Sequence, residues 1–263
     1  MISILADRIR YEDPGSVSLE QRLGSMLSGR PRIAYYYANP DTSTFRYRIL
    51  NMFEALVASD ASAAAAWFVE ADGDRGVDAV EHADVLVLCR AQYTVHVASI
   101  IARARASGAR VLFDVDDLVV DSRYTHLIME TLDQVIDEPG LDHWFAYISR
   151  LEATLQLCDG VITTNEYLAA RIQDAHDIPA YIVPNFLNRA QIAVSSELLQ
   201  AKRSSESSGG GPIRIGYFSG TPTHNRDFSI AAPAILQLME EDSRISLRIV
   251  GFLELDERFR SVD

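Results

Sequence analysis

The sequence predicts an α/β protein built on a parallel sheet with helices on both faces. Three observations lead there. Short apolar runs recur along the chain, set apart by turn-rich segments and by stretches with helical periodicity. The runs are apolar throughout instead of alternating, as a strand buried on both faces requires. Strand and helix signals alternate, and that order lays successive strands side by side in parallel.

Residues 1–30 are mixed and polar, with a short amphipathic stretch from Leu19 to Leu27, and read as an N-terminal extension. Arg32 to Ala38 (RIAYYYA) is the first buried strand, and Asn39 to Thr44 is turn-rich. Ile49, Met52, Phe53 and Leu56 then share one helical face. Trp67 to Glu70 reads as a short strand and Asp84 to Cys89 as a stronger one. Val97, Ile100, Ile101 and Ala104 form the next helical stripe, with Gly108 where a helix C-cap belongs. Val111 to Val115 is a strand, and Ser122 to Leu157 a long acidic helical region. Val161 to Thr164 follows as a strand, with Thr163 and Glu166 spaced as a capping box. Tyr181 to Val183 is the next strand, closed by Pro184.

Residues 204–212 (SSESSGGGP) have the composition of a flexible linker. The same grammar then restarts: a strand at Ile213 to Phe218, a helix at Phe228 to Glu241 and a strand at Leu247 to Val250. Pro233 falls in that helix and predicts a start near Ser229, where the missing N–H costs nothing. The organisation expected is a first domain at 31–203, a linker at 204–212 and the beginning of a second domain at 213–263. One strand–helix–strand unit makes a poor core by itself and leaves an open sheet edge, so a truncated second domain and a possible homo-oligomer are expected.

Composition narrows the function classes. With 24 Lys and Arg against 37 Asp and Glu, the formal net charge of −13 argues against nucleic acid as a partner and limits membrane contact to the periphery. The only cysteines, Cys89 and Cys158, sit in apolar runs and read as buried thiols. The opening residues do not form a signal peptide, so a cytoplasmic protein is expected. His96, His126 and His143 lack metal-ligand spacing and read as structural or surface groups; no metal is expected.

Three segments could carry chemistry. Asp114, Asp116 and Asp117 end a predicted parallel strand, where ligands of open α/β sheets bind. Carboxylates there can act as a general base or orient a hydroxyl, or else one caps the next segment and the others are solvated. Ser43, Thr44, Arg46 and Arg48 open the first helix, where free N–H groups and guanidinium forks suit an anion, either an acceptor phosphate or a donor diphosphate. The plainer reading is an N-cap with arginines that are solvated or paired with acidic neighbours, more so for Arg48 than for Arg46. Ser219 to Arg226 (SGTPTHNR) follows the first strand of the second domain. Gly220 permits close backbone approach, and Thr221, His224, Asn225 and Arg226 can bond phosphate oxygens; a plain strand-to-helix turn is the alternative. Asn165 reads as a cap and Asn185 as a turn residue. A Gly-rich dinucleotide fingerprint, a Walker lysine and a Gly-x-Ser-x-Gly elbow are all absent from the sequence.

Four segments together resemble bacterial glycosyltransferases of family four, which have the two-domain GT-B fold. They are RIAYYYANPDTSTFRYRI, RVLFDVDDLV, CDGVITTNEYLAARI followed by YIVPNF, and IRIGYFSGTPTHNRDF ending in LRIVG. The resemblance spans roughly Arg32 to Gly251 and implies a Rossmann-like acceptor-side domain followed by the start of a Rossmann-like donor domain. It implies retaining transfer of a sugar from a nucleotide diphosphate donor to a saccharide or lipid-linked acceptor, with no cofactor and a place in cell-surface polysaccharide synthesis. It places Asp116 or Asp117 on the catalytic side; Asp114, Ser43 and Arg46 are the candidates for the acceptor or an anion, from their own positions and chemistry. Gly220, Thr221, His224, Asn225 and Arg226 fall on the donor diphosphate, Arg226 countering charge on the leaving nucleotide. Asp114-Val115-Asp116 also matches the Asp-x-Asp of metal-dependent glycosyltransferases, but GT-B enzymes generally need no metal. The alternatives are a non-catalytic or incomplete glycosyltransferase-like fragment that needs a partner, and an unrelated Rossmann-type enzyme, which the missing Gly-rich fingerprint disfavours.

Overall fold

The structure is a computed structural model and describes residues 16–39, 43–59, 62–132, 135–205, 211–219 and 225–251, with Leu253 and Phe259. The chain divides into two compact units, Met1–Ser122 with Phe145–Ile192, and Arg123–Trp144 with Ala193–Asp263. The second unit therefore takes in residues 123–144 and 193–203 as well as the segment after the linker.

The first unit holds a six-stranded sheet: β1 (Arg32–Tyr36), β2 (Ala64–Phe68), β3 (Val85–Cys89), β4 (Arg110–Asp114), β5 (Gly160–Thr163) and β6 (Ala180–Ile182). Every pairing is parallel and the order is β2-β1-β3-β4-β5-β6. Successive side chains of a strand point to opposite faces, and both faces are apolar here. Ala34, Tyr36, Leu86, Leu88, Val111, Phe113 and Val161 enter one core cluster. Tyr35, Ala65, Trp67, Val87 and Cys89 enter the other. The middles of the inner strands consequently read as apolar runs, with charges such as Arg32, Arg110 and Asp114 at strand ends. Fully burying a Val, Leu, Ile or Phe stabilises by about 1.5–3 kcal/mol, so the sheet is held from both sides.

The first core is closed by α5 (Val95–Ala106), whose Val97, Ile100, Ile101 and Ala104 are buried as their spacing predicts. The C-terminal part of α7 (Glu138–Leu155) adds Leu151 and Leu155, and α8 (Glu166–His176) adds Ile172. The second core is closed by a helical run of α2 (Ser43–Phe45), a π-helical turn (Arg46–Leu50) and α3 (Asn51–Val57). Phe45 meets Trp67 edge to face at 5.3 Å, a favoured aromatic geometry.

Several expectations shift. The stretch Leu19–Leu27, read as part of an extension, is α1, a built-in piece of the first unit: Ser18 and Gln21 form a capping box, and Met26 is fully buried in the core. Its Arg22 is buried too, with both guanidinium ends on Asp72 at 2.7 and 2.9 Å and its carbon 4.0 Å from the Trp67 ring centre. Strand β2 begins at Ala64, ahead of the aromatic pair that marked it. The region 122–157 is not one helix but a 3₁₀ turn (Ser122–Tyr124), α6 (Thr125–Thr131) and α7. Pro139 sits in the first turn of α7, where a proline fits because its N–H would be unbonded anyway. Thr163 ends β5 and does not cap α8; Asn165 does, its side chain accepting from the Leu168 N–H at 2.9 Å.

In the second unit β7 (Ile213–Ser219) and β8 (Ile245–Gly251) pair in parallel, with α10 (Asn225–Glu241) between them in the chain. Phe228, Ala232 and Leu236, spaced four apart, are the buried face of α10, and Phe228 meets Tyr217 at 4.8 Å. The helix starts at Asn225, so Pro233 lies inside it and not in its first turn as predicted. The ring is exposed, which leaves water free to take the carbonyl that loses its amide. Gly251 has φ +103, and a Cβ there would lie 1.8 Å from the Ser219 carbonyl oxygen. Backbone approach that close admits only glycine. A long helix, α9 (Arg189–Ser205), begins in the first unit and continues in the second.

Candidate functional site at the carboxyl end of the first sheet

The chain leaves β1 for β2 on one side and then crosses to β3 on the other. The strand order reverses between β1 and β3, and ligands of open α/β sheets bind outside the carboxyl ends of the strands at such a point. The residue that follows β3 and those that end and follow β4 there are charged, and they form two linked groups.

The inner group is a buried ion pair. Arg48, in the π-helical turn, donates from Nε and Nη2 to the two Asp114 oxygens, both at 2.8 Å. Its remaining nitrogen donates to the Val183 carbonyl at 2.7 Å and to Asn185 Oδ1 at 3.1 Å. One side chain thus ties β4, the first helical run and the segment after β6. Asp114 and Arg48 are 1% and 0% exposed. Burial pushes the Asp114 carboxyl up to about 6, although both Arg48 bonds pull it down and only the nearby Asp116 charge adds to the rise. Burial opposes the Arg48 charge, but Asp114 more than offsets this and holds the guanidinium above its ordinary value. At neutral pH the pair is therefore charged on both sides. Cys89 lies 3.9 Å from Asp114, and burial, with Asp114 adding, drives its thiol well above the usual range.

The outer group opens towards solvent. Arg90 directly follows β3 with φ 43, an uncommon conformation for a side chain of its size. Its amide donates to the Asp114 carbonyl at 3.0 Å. Its Nε donates to Asp116 Oδ1 at 2.6 Å, and its Nη2 donates to Asp117. The Arg90 and Asp116 side chains are each 17% exposed and that of Asp117 is 64% exposed. Burial would lower the Arg90 pKa, but the Asp116 and Asp117 charges raise it well above its ordinary value. Tyr147, from α7, also lies within reach of Arg90, and burial raises its phenol.

The structure brings together Asp114, Asp116 and Asp117 of the predicted residues, and separates their environments. Asp114 is sealed by Arg48, so it presents no free oxygen to an acceptor or anion; Asp117 does face solvent. Arg48 follows the plainer expectation, pairing with an acidic neighbour. Ser43 is exposed at the start of α2, and Arg46 is half-buried in the π-helical turn, 3.8 Å from Glu54. In the second unit Asn225 begins α10, and the neighbouring Arg226 is exposed and donates to the Glu130 carbonyl. Gly220, Thr221 and His224 lie outside the described residues. Asn185 accepts from Arg48 and so has more than a turn role.

Arg90 was not anticipated. The signal was its position: an arginine immediately after the apolar run DVLVLC lies at the same sheet end as the aspartates. Of the histidines, His96 packs 5.9 Å from the Tyr36 ring, while His126 and His143 are exposed. Among the described residues no cluster of His, Cys, Asp and Glu could hold a metal ion, and no helix is long and apolar enough to cross a membrane.

All-parallel pairing, helices on both faces and a switch point between β1 and β3 define a Rossmann-like α/β domain. No family model matches the chain, and no curated protein matches it. Among solved structures, it is similar to a UDP-glucosyltransferase from Polygonum tinctorium, described as capable of glucosylating indoxyl and solved with 3,4-dichloroaniline. That similarity has a TM-score of 0.38 and 14% sequence identity, over 88% of this chain and 68% of the other. Likeness at that level fixes neither fold nor activity; the fold rests on the strand order above.

Proposed function

We propose that the chain is a glycosyltransferase, moving a sugar with retention from a nucleotide diphosphate donor to a saccharide or lipid-linked acceptor in cell-surface polysaccharide synthesis. The observation that carries the reading is the acidic strand end at the switch point, where Asp116 and Asp117 stand beside Arg90 at the solvent mouth. Carboxylates so placed can accept a proton from an acceptor hydroxyl or orient it by hydrogen bonding. Asp114 then serves as framework, locked by Arg48. The donor diphosphate falls to Asn225 and Arg226 with Gly220, Thr221 and His224, and Arg226 offsets charge on the departing nucleotide, an electrostatic role.

Calorimetric titration of the chain with UDP and GDP tests this. Saturable binding of one nucleotide is expected, weakened about tenfold in Arg226→Ala, as the loss of a charged hydrogen bond implies. Asp116→Asn should leave that affinity unchanged. If neither nucleotide binds the wild-type chain, the donor assignment fails and an acceptor-side binding fragment remains.

A further inference from the structure

Between β6 and the first turn of α9 the chain runs as a strap, residues 183–191, in which no residue is buried. What holds it is polar. Arg48 donates to the Val183 carbonyl at 2.7 Å and to Asn185 at 3.1 Å. Asn51 donates from Nδ2 to the Phe186 carbonyl at 2.8 Å and to Gln191 at 3.3 Å. Asn188 donates to Glu54 at 2.8 Å, and Arg189 donates to the Ala58 carbonyl at 3.0 Å. Residues 48, 51, 54 and 58 are three and four apart, so they line one face of the first helical run. The strap is bonded along that face from end to end. Asn188 and Gln191 also cap α9 reciprocally: the Gln191 N–H donates to Asn188 Oδ1 at 2.8 Å, and the Asn188 N–H to Gln191 Oε1 at 2.9 Å. The two side chains that start α9 thus also dock it on α3.

Segments with few buried apolar contacts and many exposed hydrogen bonds open at lower free energy than the core. Docking also leaves Asn51 Oδ1 buried with no hydrogen-bond partner among the described residues, a cost that water relieves when the strap lifts. Val183 and Phe186 pack against the core cluster that holds Cys89, and Arg48 gives its other two donors to Asp114. We propose that residues 183–191 lift and close as one unit, coupled through Arg48 to the carboxyl end of β4. Lifting removes an anchor of Arg48 and uncovers Asp114 and Cys89 from the side of Val183 and Phe186; closure restores both. Because α9 begins in the first unit and continues in the second, the strap also sets how firmly that helix is tied to the first unit. The device is independent of the glycosyltransferase reading, and so is its test.

The full chain and Asn188→Asp are compared by native-state thiol labelling and by hydrogen exchange. The new carboxylate can still cap α9 but meets Glu54 with like charge, so docking is lost while the helix start is kept. Cys89 should label about tenfold faster than in wild type, as the loss of a hydrogen bond to a charged group implies. The amides of Val183 and Ile192, bonded to the Thr163 and Asn188 carbonyls at 2.8 and 3.0 Å, should quicken together. Cys158, in the other core cluster, should label as before. Adding Glu54→Gln to Asn188→Asp should restore both rates, since glutamine can donate to the carboxylate. Equal acceleration of the two cysteines would mean global destabilisation, and quickening confined to residues 188–192 would mean fraying of α9; either overturns the proposal, as does an unchanged Cys89. Should Asn188→Asp not fold, Asn185→Ala loosens the opposite end: it should speed Ile192 exchange along with Cys89 labelling, and an effect limited to Val183 would sink the idea. A failed nucleotide titration would leave all these outcomes unaffected.

Discussion

Replacing Arg48 with methionine should be among the most damaging single changes in the first unit. The side chain is fully buried and makes four hydrogen bonds, two to Asp114, one to the Val183 carbonyl and one to Asn185. Methionine fills similar volume but offers no donor, so Asp114 is left buried and unpaired. Removing one partner of a buried ion pair costs about 3–5 kcal/mol. At roughly 2–4 °C per kcal/mol for a chain of this size, Tm falls on the order of 10 °C. Trp67 is the natural probe for urea unfolding, being buried in the same core cluster as Ile49 and Cys89. The cost should be larger at pH 8 than at pH 5. Asp114 in the wild type titrates at about 6, raised from its ordinary 3.8. Its folded value is raised, so its contribution to stability is greatest below the unfolded value and declines as pH rises through the folded one. Without Arg48 the carboxyl rises further, which widens that decline and enlarges the penalty above pH 6. Arg48→Met with Asp114→Leu should recover most of the loss, because an apolar pair removes the stranded charge. A single variant that costs under about 1 kcal/mol, the range of an exposed pair, or a penalty independent of pH, would refute this account.

Two further outcomes follow from the packing. Cys89 and Cys158 should resist a thiol reagent in the native chain at pH 8 and react fully in denaturant, since both are buried, with the Cys158 thiol pushed up to about 12 and Cys89 well above its usual range; rapid native labelling would contradict it. Gly251→Ala should destabilise the second unit by about 2 kcal/mol or more, because the added methyl meets the Ser219 carbonyl at φ +103, and hydrogen exchange at 213–219 and 245–251 should quicken; unchanged exchange would show that β8 carries no such constraint.

The sheet was legible because its inner strands β1, β3 and β4 carry apolar residues on both faces, and the α5 stripe because its period is regular. Boundaries moved where a local rule met a competitor. Alanines opened β2, where only Trp67 and Phe68 carried a strand signal. Asn165 took the cap because Thr163 was still needed in the β5 ladder, where its carbonyl accepts from Val183. The region 122–157 broke because Pro139 demands a first turn. The site was half legible. Strand-end position pointed to the three aspartates, which the fold places together, but it is blind to side-chain direction and gave no means of separating sealed Asp114 from open Asp117.

A charge inside an apolar pattern carries the missing information. Phe45, Arg48, Ile49 and Met52 fall at i, i+3, i+4 and i+7, so Arg48 occupies a place on the stripe that faces the core. The π-helical turn, in which the Asn51 N–H reaches back to the Arg46 carbonyl, keeps Arg48, Ile49, Leu50, Asn51 and Met52 all buried in succession. Asp114 ends a strand whose other fully buried residues are Val111 and Phe113. A buried guanidinium and a buried carboxylate each carry a desolvation cost of several kcal/mol, met only by a partner of opposite sign in good geometry. A misfit of one sign in a domain therefore predicts a partner of the other, and Arg22 with Asp72 is a second such pair. By the same logic Arg90, Asp116 and Asp117 are the charges outside any apolar pattern, near water and able to meet a ligand. Pairing the misplaced charges first, and looking for chemistry among those left over, moves the functional question from Asp114 to the carboxylates that Arg90 holds.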